Sequence, residues 1–552
     1  MQRFLYLFAV LLTFTAFAQQ ESLEKIDSII ESKIKKTDPG LMVGIVKEGN
    51  IIYEKYLGLA NLQHQVKITK ETRSNIASTA KQFTALMILD LALKDKLSLE
   101  DDIRKYLPNL YQEVKEEIKV RHVINHTSGI RDYVELLSLK NQTWWQQVGL
   151  DNNDIMQLLE KQKDLGFAPG LKYIYSNSGY VVLAEIIEKV SGQSFNDYSK
   201  AFFEGLGMKS TSFVKRYMEV IPNRAEPYSD WGRGEWWQAP TVTKTNGEGF
   251  LFTTLEDQLI YEQAIQNAAA ENNLLLIKSQ QAIPNSEIQT YGFGLNLFNW
   301  FRGDRKAVHH DGRTYGYQSQ TVRFAEGNLS IFIMSNNGNL ASDVLADEIA
   351  KVLLPKLEIK KAEGYDNRFY ESVKSKKTYQ VKGQYYSKSG FLTRIEEEDG
   401  KIFFLQGNRL KLELVPEKKN VYHFSYAPEN KLVFYENEMA LFRLSGETSV
   451  FKRSSELPAA QADIEAILGV YENDELDIGF EIKLNEENKL KFKFSNDDRA
   501  NDLMVFNRNE LMAGDNLILK AERDASDGIT GLLLTYERAG NMRFIKKEKG
   551  QL

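Results

Sequence analysis

A serine and a lysine three positions apart are the residues of this chain best suited to chemistry: Ser78 and Lys81, in Ser-Thr-Ala-Lys. Residues 83–93 are almost all apolar, which predicts a buried helix that begins at this motif. The first turn of a helix has unpaired backbone N–H groups that favour an oxyanion, and side chains at i and i+3 lie on one face. A lysine desolvated beside the serine hydroxyl has a lowered pKa and can take its proton. A serine cap followed by a solvent-facing lysine is the alternative.

A second group is Tyr175-Ser176-Asn177, which precedes an apolar helix predicted over residues 181–190. The Tyr175 hydroxyl can share a proton with a serine and a lysine. The Asn177 amide can hold the lysine and a substrate carbonyl group in place. Taken alone, the segment also fits an ordinary loop at the start of a helix.

A third group, His310-Asp311-Gly312-Arg313, is expected to open the penultimate strand of a sheet. A glycine on an edge strand lets a substrate backbone approach closely. The backbone N–H of Arg313 can complete an oxyanion hole with that of Ser78. We therefore predict substrate contacts from His310, Gly312 and Arg313, in addition to Asn177.

The elements that must position these groups lie before residue 355 and predict an α+β (α/β) domain. A helix over residues 22–35 and another over 341–354 flank two predicted hairpins, 41–46 with 51–57 and 318–324 with 329–335. The simplest arrangement packs the terminal helices on one antiparallel sheet whose strands come from both ends. A helical lobe, from about residue 75 to residue 310, is then inserted between the hairpins.

The remainder of the chain contains an internal duplication. Residues 381–386 (Val-Lys-Gly-Gln-Tyr-Tyr) parallel residues 467–471 (Ile-Leu-Gly-Val-Tyr), and both units end with an aromatic and basic strand. Short strand patterns alternate with polar turns, which predicts two all-β domains, each a lipocalin-like barrel or a sandwich. The expected boundaries are 19–355 for the first domain, 356–377 for a linker, and 378–455 and 456–552 for the β-domains.

The composition restricts the class of protein. The chain has 552 residues, no Cys and a net charge of −6, which argues against nucleic-acid binding by phosphate neutralisation. Without Cys, disulfides, thiolate zinc sites and a Cys nucleophile are excluded. We expect no metal or other cofactor, because His122 and His126 lack a third ligand in the sequence.

The first eighteen residues are typical of a secretory signal peptide. Arg3 supplies the basic region, an apolar stretch follows, and Ala16-Phe17-Ala18 is a cleavage site. The apolar stretch is shorter than a membrane span requires, so no span is expected after cleavage. A retained N-terminal anchor is the alternative. We expect a periplasmic or secreted protein.

Ser-x-x-Lys, Tyr-x-Asn and His-x-Gly, in this order, resemble the motifs of the serine β-lactamase and penicillin-binding-protein superfamily. The likeness is nearest to its class C-like branch, which holds D-aminopeptidases, D-alanyl-D-alanine carboxypeptidases and esterases. It covers roughly residues 22–355 and extends to accessory stretches such as Ile124-Asn-His-Thr-Ser-Gly-Ile130 and Gly247-Glu-Gly-Phe-Leu-Phe-Thr-Thr254. D-aminopeptidases of this superfamily also carry two β-barrel domains after the catalytic one.

The resemblance implies an acyl-enzyme mechanism with Ser78, Lys81 and Tyr175 as catalytic residues; whether Lys81 or Tyr175 is the principal base stays open. Many relatives have Lys-Thr-Gly where this chain has His310-Asp311-Gly312, and a histidine is mostly uncharged at neutral pH. We therefore expect small amide, peptide or ester substrates, D-amino-acid peptides or amides first, including peptides derived from the cell wall. An esterase, a class C-like β-lactamase and a catalytically silent peptidoglycan- or penicillin-binding protein are the alternatives.

Overall fold

The structure, a computed structural model, describes residues 20–297, 299–300, 305–354, 377–387, 392–406, 410–425, 427–442, 448–453, 461–514 and 517–547. The predicted signal peptide lies outside these residues. So does the predicted linker, apart from its last residue.

A six-stranded antiparallel sheet forms the centre of the first domain, and its strands come from both ends of that domain, as predicted. The first strand is hydrogen-bonded to the last, with Leu41 opposite Ser335. In spatial order the strands are Asn299–Trp300, Arg305–Thr314, Tyr317–Phe324, Leu329–Ser335, Leu41–Lys47 and Asn50–Leu57.

One expectation about this sheet is wrong. Residues 310–313 do not open the penultimate strand, Tyr317–Phe324. They lie near the end of a separate strand, Arg305–Thr314, which pairs with it. Only Tyr315 and Gly316 separate the two strands. Because a two-residue turn joins paired antiparallel strands, the residues before it belong to a strand of their own.

Both faces of the sheet are covered by helices. Residues 20–33 and the helix Ser342–Leu353 bury Ile26, Ile30 and Ile349 against one face. The helix Leu255–Asn267 covers the other face. It approaches so closely that a Cβ on Gly44 would lie 2.5 Å from Leu259 Cδ2, so a larger residue at that point of the strand would displace the Leu259 side chain.

The predicted helical lobe is present between the sheet strands. Its central helix, Lys81–Leu93, is buried from Lys81 to Leu91, which accounts for its nearly continuous apolar sequence. The other helices are Val120–Ile124, Tyr133–Leu139, Asn152–Glu160, Asn177–Ser191, Phe195–Gly205 and Leu274–Ser279. Small sheets pair Leu251–Thr253 with Ser74–Asn75 and Ser212–Phe213, Leu59–Asn61 with Val66–Lys67, and Tyr228–Ser229 with Trp237–Gln238.

Two closed antiparallel barrels of eight strands follow, which confirms the barrel form of the prediction. The strands of the first barrel are Gly383–Ser387, Leu392–Glu398, Lys401–Gln406, Leu410–Lys418, Val421–Phe424, Ala427–Phe434, Glu438–Phe442 and Thr448–Arg453. After the helix Gln461–Ile467, those of the second barrel are Gly469–Asn473, Ile478–Leu484, Leu490–Phe494, Asn501–Asn507, Glu510–Ala513, Leu517–Arg523, Ile529–Tyr536 and Ala539–Lys546.

The barrels repeat a local hydrogen bond as well as a topology. Tyr385 donates its hydroxyl proton to the carbonyl oxygen of Val381, at 2.9 Å. Tyr471 does the same to Ile467, at 2.8 Å. In each case the tyrosine of the first strand fastens the chain that enters the barrel, four residues earlier. Within the described residues, no helix is both long and apolar enough to cross a membrane.

Candidate active site

Ser78 lies in a single turn of 3-10 helix, Ala77–Ala80, directly before the buried helix Lys81–Leu93. Ala77 has a φ of 45°, a left-handed conformation that costs a non-glycine residue about 1–2 kcal/mol. Its N–H donates to the side chain of Asn75 at 2.8 Å, which helps to hold this conformation. The turn therefore presents the serine at the start of a rigid helix.

Gly312 makes room for this turn. A Cβ at Gly312 would lie 2.3 Å from the carbonyl oxygen of Ile76 and 3.1 Å from the backbone nitrogen of Thr79. The space that a side chain would fill is thus occupied by the protein's own backbone beside Ser78. The glycine is therefore required for this contact, and the approach of a substrate backbone to it stays a prediction.

The Lys81 ammonium lies against the Ser78 hydroxyl, and its side chain is 0% exposed. Its Nζ donates to Ser78 Oγ at 3.0 Å, to Asn177 Oδ1 at 2.8 Å and to the carbonyl oxygen of Glu248 at 2.7 Å. Burial lowers the pKa of Lys81 to about 8, although the carboxylates of Glu248 and Asp132 act in the opposite direction. A neutral amine is therefore accessible near neutral pH, which the proposed base requires.

The phenol of Tyr175 completes the cluster. Its ring centroid is 5.0 Å from Lys81 Nζ. Burial raises the pKa of Tyr175 well above its ordinary value, against the effect of a hydrogen bond with Ser78. The ring packs on that of His126, with 4.2 Å between centroids. Tyr175 therefore stays protonated and is suited to donate a proton rather than to act as the first base.

Asn177 is the first residue of the helix Asn177–Ser191. Its backbone N–H donates to Asp132 Oδ2 at 2.8 Å, and its side-chain oxygen accepts from Lys81. Because the backbone is held in this way, the amide is fixed relative to the lysine. The structure thus brings Ser78, Lys81, Tyr175 and Asn177 into one cluster.

His310 lies next to this cluster, but it is only 3% exposed. Its Nδ1 lies 2.5 Å from the carbonyl oxygen of Asp311, which can only accept, so Nδ1 carries the proton. Nε2 is then the acceptor of the Tyr291 hydroxyl at 3.1 Å. Burial lowers the pKa of His310, so the ring is a neutral support 6.1 Å from the Tyr175 ring, measured between centroids.

The Arg313 side chain extends toward the C-terminal helix of the first domain. Its guanidinium lies 3.3 Å from Asp343 and 3.7 Å from Asp311. Its backbone belongs to the strand that contacts the Ser78 turn through Gly312. An oxyanion hole from the N–H groups of Ser78 and Arg313 stays a prediction.

Three charged residues of the site were missed by sequence reasoning: Glu248, Asp132 and Arg538. Glu248 Oε2 is 3.4 Å from Lys81 Nζ, while Oε1 accepts from the hydroxyls of Tyr133 and Thr245. The Gly-Glu-Gly stretch around Glu248 was noticed only as a family likeness. No signal near Asp132 or Arg538 indicated that they would meet.

The chain is similar to known proteins over most of its length. The sequence model of the family described as Beta-lactamase matches residues 26–354. Penicillin-binding protein 4* of Bacillus subtilis (strain 168) is 27% identical over 429 residues, which cover 73% of this chain and 91% of that protein. A D-aminopeptidase of Brucella anthropi is 27% identical over 459 residues, 80% of each chain.

Among solved structures, the octameric penicillin-binding protein homologue from Pyrococcus abyssi superimposes with a TM-score of 0.54 at 23% identity. The match covers 78% of this chain and 100% of that one. It supports a shared fold that extends beyond the first domain.

Proposed function

Since the chain belongs to the Beta-lactamase family, we propose that it is an exported hydrolase that cleaves small amides, peptides or esters through an acyl-enzyme on Ser78. Serine hydrolysis is the chemistry of the family, whose D-aminopeptidase branch includes relatives of this chain. One observation carries the proposal: a fully buried lysine amine with a pKa of about 8 lies 3.0 Å from the Ser78 hydroxyl. Export rests on the signal-like residues 1–18.

Acylation uses the protonation states that the site favours. The neutral Lys81 amine takes the proton of Ser78, and Oγ forms a bond to the substrate carbonyl carbon. The Tyr175 phenol then donates its proton to the departing nitrogen or oxygen as the carbon–heteroatom bond breaks. The Lys81 ammonium returns a proton to Tyr175, so the net transfer is from the serine to the leaving group.

Deacylation repeats these steps with water. A water molecule loses a proton to the same pair of residues and attacks the ester carbon, and Ser78 leaves with a proton. Backbone N–H groups of Ser78 and Arg313 are the proposed donors to the oxyanion in both halves. The Asn177 amide orients Lys81 and the bound carbonyl group.

D-amino-acid peptides and amides are the proposed substrates. His310 is neutral and buried, so it does not supply the positive charge that a lysine at this position would offer to a substrate carboxylate. Similarity to a D-aminopeptidase over 80% of the chain supports the same substrate class. Esters come next, and β-lactams third.

The test combines active-site labelling with a substrate panel. We expect a fluorophosphonate to modify wild-type protein on Ser78, as located by mass spectrometry, and D-Ala p-nitroanilide to be cleaved faster than p-nitrophenyl butyrate, nitrocefin or a D-Ala-D-Ala peptide. Ser78→Ala should lower kcat by about 10³-fold or more, whereas the exposed Ser32→Ala should not.

An unmodified Ser78 in folded wild-type protein, with no turnover of any of the four substrates, would contradict hydrolysis. It would favour a catalytically silent binding protein instead. Fastest turnover of the butyrate ester or of nitrocefin would retain the mechanism and replace the substrate class.

A further inference from the structure

The second barrel packs directly against the helical lobe beside the active site. Its last two strands, Ile529–Tyr536 and Ala539–Lys546, form what we call the docking hairpin. Arg131 of the lobe donates to the carbonyl oxygens of Gly540, at 2.8 Å, and Asn541, at 3.1 Å. The apolar core of this barrel is continuous with that of the lobe.

Within the lobe, the hairpin contacts Arg131 and Asp132, which belong to residues 126–133, here named the supporting segment. On its other side it is bonded to the loop that carries Tyr175 and Asn177. His126 Nδ1 accepts the N–H of Ser176 at 3.1 Å, and the His126 carbonyl oxygen accepts the N–H of Ile174 at 3.0 Å. Asp132 accepts the N–H of Asn177 at 2.8 Å. The segment therefore lies between the second barrel and the catalytic side chains.

Arg538, at the turn of the docking hairpin, extends past the supporting segment toward the ring of Tyr175. Its Nη1 lies 3.0 Å from Asp132 Oδ2, and its Nη2 lies 2.7 Å from Glu135 Oε1. The same Asp132 oxygen holds the N–H of Asn177. The guanidinium carbon is 5.9 Å from the centroid of the Tyr175 ring, a cation–π distance.

Arg538 supplies the positive charge that faces two buried carboxyl groups, those of Asp132 and Glu135. The side chain of Asp132 is 0% exposed and that of Glu135 is 5% exposed, and two buried carboxylates without a counter-charge are strongly unfavourable. Burial raises the pKa of Glu135 to about 7 even with Arg538 present. The positive charge of Arg538 also acts to lower the pKa of Lys81.

We propose that Arg538 is a positioning residue through which the second barrel completes the active site, by holding Asp132 and thereby Asn177 and Tyr175 in register with Ser78. The inference rests on the hydrolase function proposed above. Direct binding of a substrate carboxylate by Arg538 is the competing role. It is disfavoured because Nε, Nη1 and Nη2 all face Asp132 or Glu135.

The experiment compares variants of the full-length protein with the best substrate of the panel. Misplacement of catalytic groups by about 1 Å costs up to about 100-fold in rate. We therefore expect Arg538→Ala to lower kcat by about 10- to 100-fold with KM nearly unchanged, equally for substrates with and without a carboxylate. Arg538→Lys keeps the charge near Asp132, and we expect it to recover most of the loss.

A double-mutant cycle tests the route through Asp132. If Arg538 acts through this carboxylate, Asp132→Asn with Arg538→Ala should be little slower than Asp132→Asn alone. Asn496→Ala is the matched control, because Asn496 donates to the carbonyl oxygen of Leu139, at 3.1 Å, in the same interface and away from Asp132. It should change kcat less than twofold.

Several outcomes would overturn the proposal. They are an unchanged kcat in Arg538→Ala, a KM effect confined to carboxylate-bearing substrates, additive effects in the cycle, and an equal loss in Asn496→Ala. If Arg538→Ala fails to fold, Arg538→Lys and Asp132→Asn give the same comparison through the rate of Ser78 labelling. Wild-type protein without turnover or labelling would instead refute the hydrolase function itself.

Discussion

The two barrels have the same topology and different surroundings. Both have eight antiparallel strands and a first-strand tyrosine that bonds a carbonyl oxygen four residues earlier. The apolar core of the second barrel merges with that of the helical lobe, whereas the core of the first forms clusters of its own. Two barrels of one topology can therefore keep the same internal bonds while only one of them shares its core with the helical lobe.

The difference lies in what the surface of each copy carries. The second barrel places Arg538 of the docking hairpin next to Asp132, behind the loop that carries Tyr175. The first barrel also meets the second, where Gln384 Nε2 donates to Met504 Sδ at 3.9 Å. The comparison predicts that damage to the second barrel affects catalysis and that similar damage to the first affects mainly its own stability.

The largest expected effect comes from truncating one core phenylalanine in each barrel. Phe480 and Phe434 are both buried among aromatic rings, and changing either to alanine should cost its barrel about 3–5 kcal/mol. We expect Phe480→Ala to lose activity at the temperature at which the second barrel unfolds. Phe434→Ala should stay active after its own barrel has unfolded.

The measurement follows thermal unfolding and hydrolysis in parallel over the same temperature range. If both variants lose activity as their altered barrel unfolds, then the active site depends on the two barrels equally. That result would contradict the distinction between them.

A smaller effect is expected in the pH dependence. If Lys81, with a pKa of about 8, is the base, it acts only when it is neutral, so kcat/KM should fall about 50-fold from pH 8 to pH 6 and approach a tenfold fall per pH unit. Glu248 raises the pKa of Lys81. Glu248→Gln should therefore move the acid limb to lower pH.

Arg538 of the second barrel also acts on Lys81, because its positive charge lowers the pKa of the lysine. The control is Glu413→Gln in the first barrel, where Glu413 pairs with Lys401 at 3.1 Å. It should leave the acid limb of the pH profile in place. A wild-type acid limb near pH 10 would mean that the lysine is not desolvated as the structure indicates.

The smallest effect concerns the bond that the barrels share. Tyr385→Phe and Tyr471→Phe each remove one hydroxyl donor to a backbone carbonyl, which should cost about 1 kcal/mol. Denaturant unfolding should give similar losses for the two variants, because the bonds are equivalent. Thermal inactivation should occur earlier only for Tyr471→Phe, and the reverse result would indicate that the first barrel is the one coupled to the site.

Sequence reasoning succeeded where contacts are local or repetitive. Ser78 and Lys81 meet because they are three residues apart at the start of a helix that its apolar sequence marks as buried. The turn residues between apolar segments located four of the six sheet strands to within one residue. The repeated Gly-x-Tyr segments predicted two similar units, and each of them contains an eight-stranded barrel.

It failed where the meaning of a residue depends on what packs against it. Gly312 was predicted only as a substrate contact, whereas its missing side chain also makes room for the backbone from Ile76 to Thr79. His310 was expected to contact substrate, but it is buried against Tyr291. Spacing along a strand predicts which residues share a face, and it does not predict what covers that face.

The amino-acid sequence was sufficient to predict a serine with a neighbouring amine, a sheet built from both ends, and two similar barrels. These features follow from helical and strand periodicities that act over a few residues. Only the tertiary structure decided that Glu248 would lie beside Lys81 and that Arg538 would stand behind Asp132. Glu248 is 167 residues from Lys81 along the chain, and Arg538 belongs to a different domain from Asp132. Whether such residues meet depends on how whole surfaces dock, which no local pattern encodes.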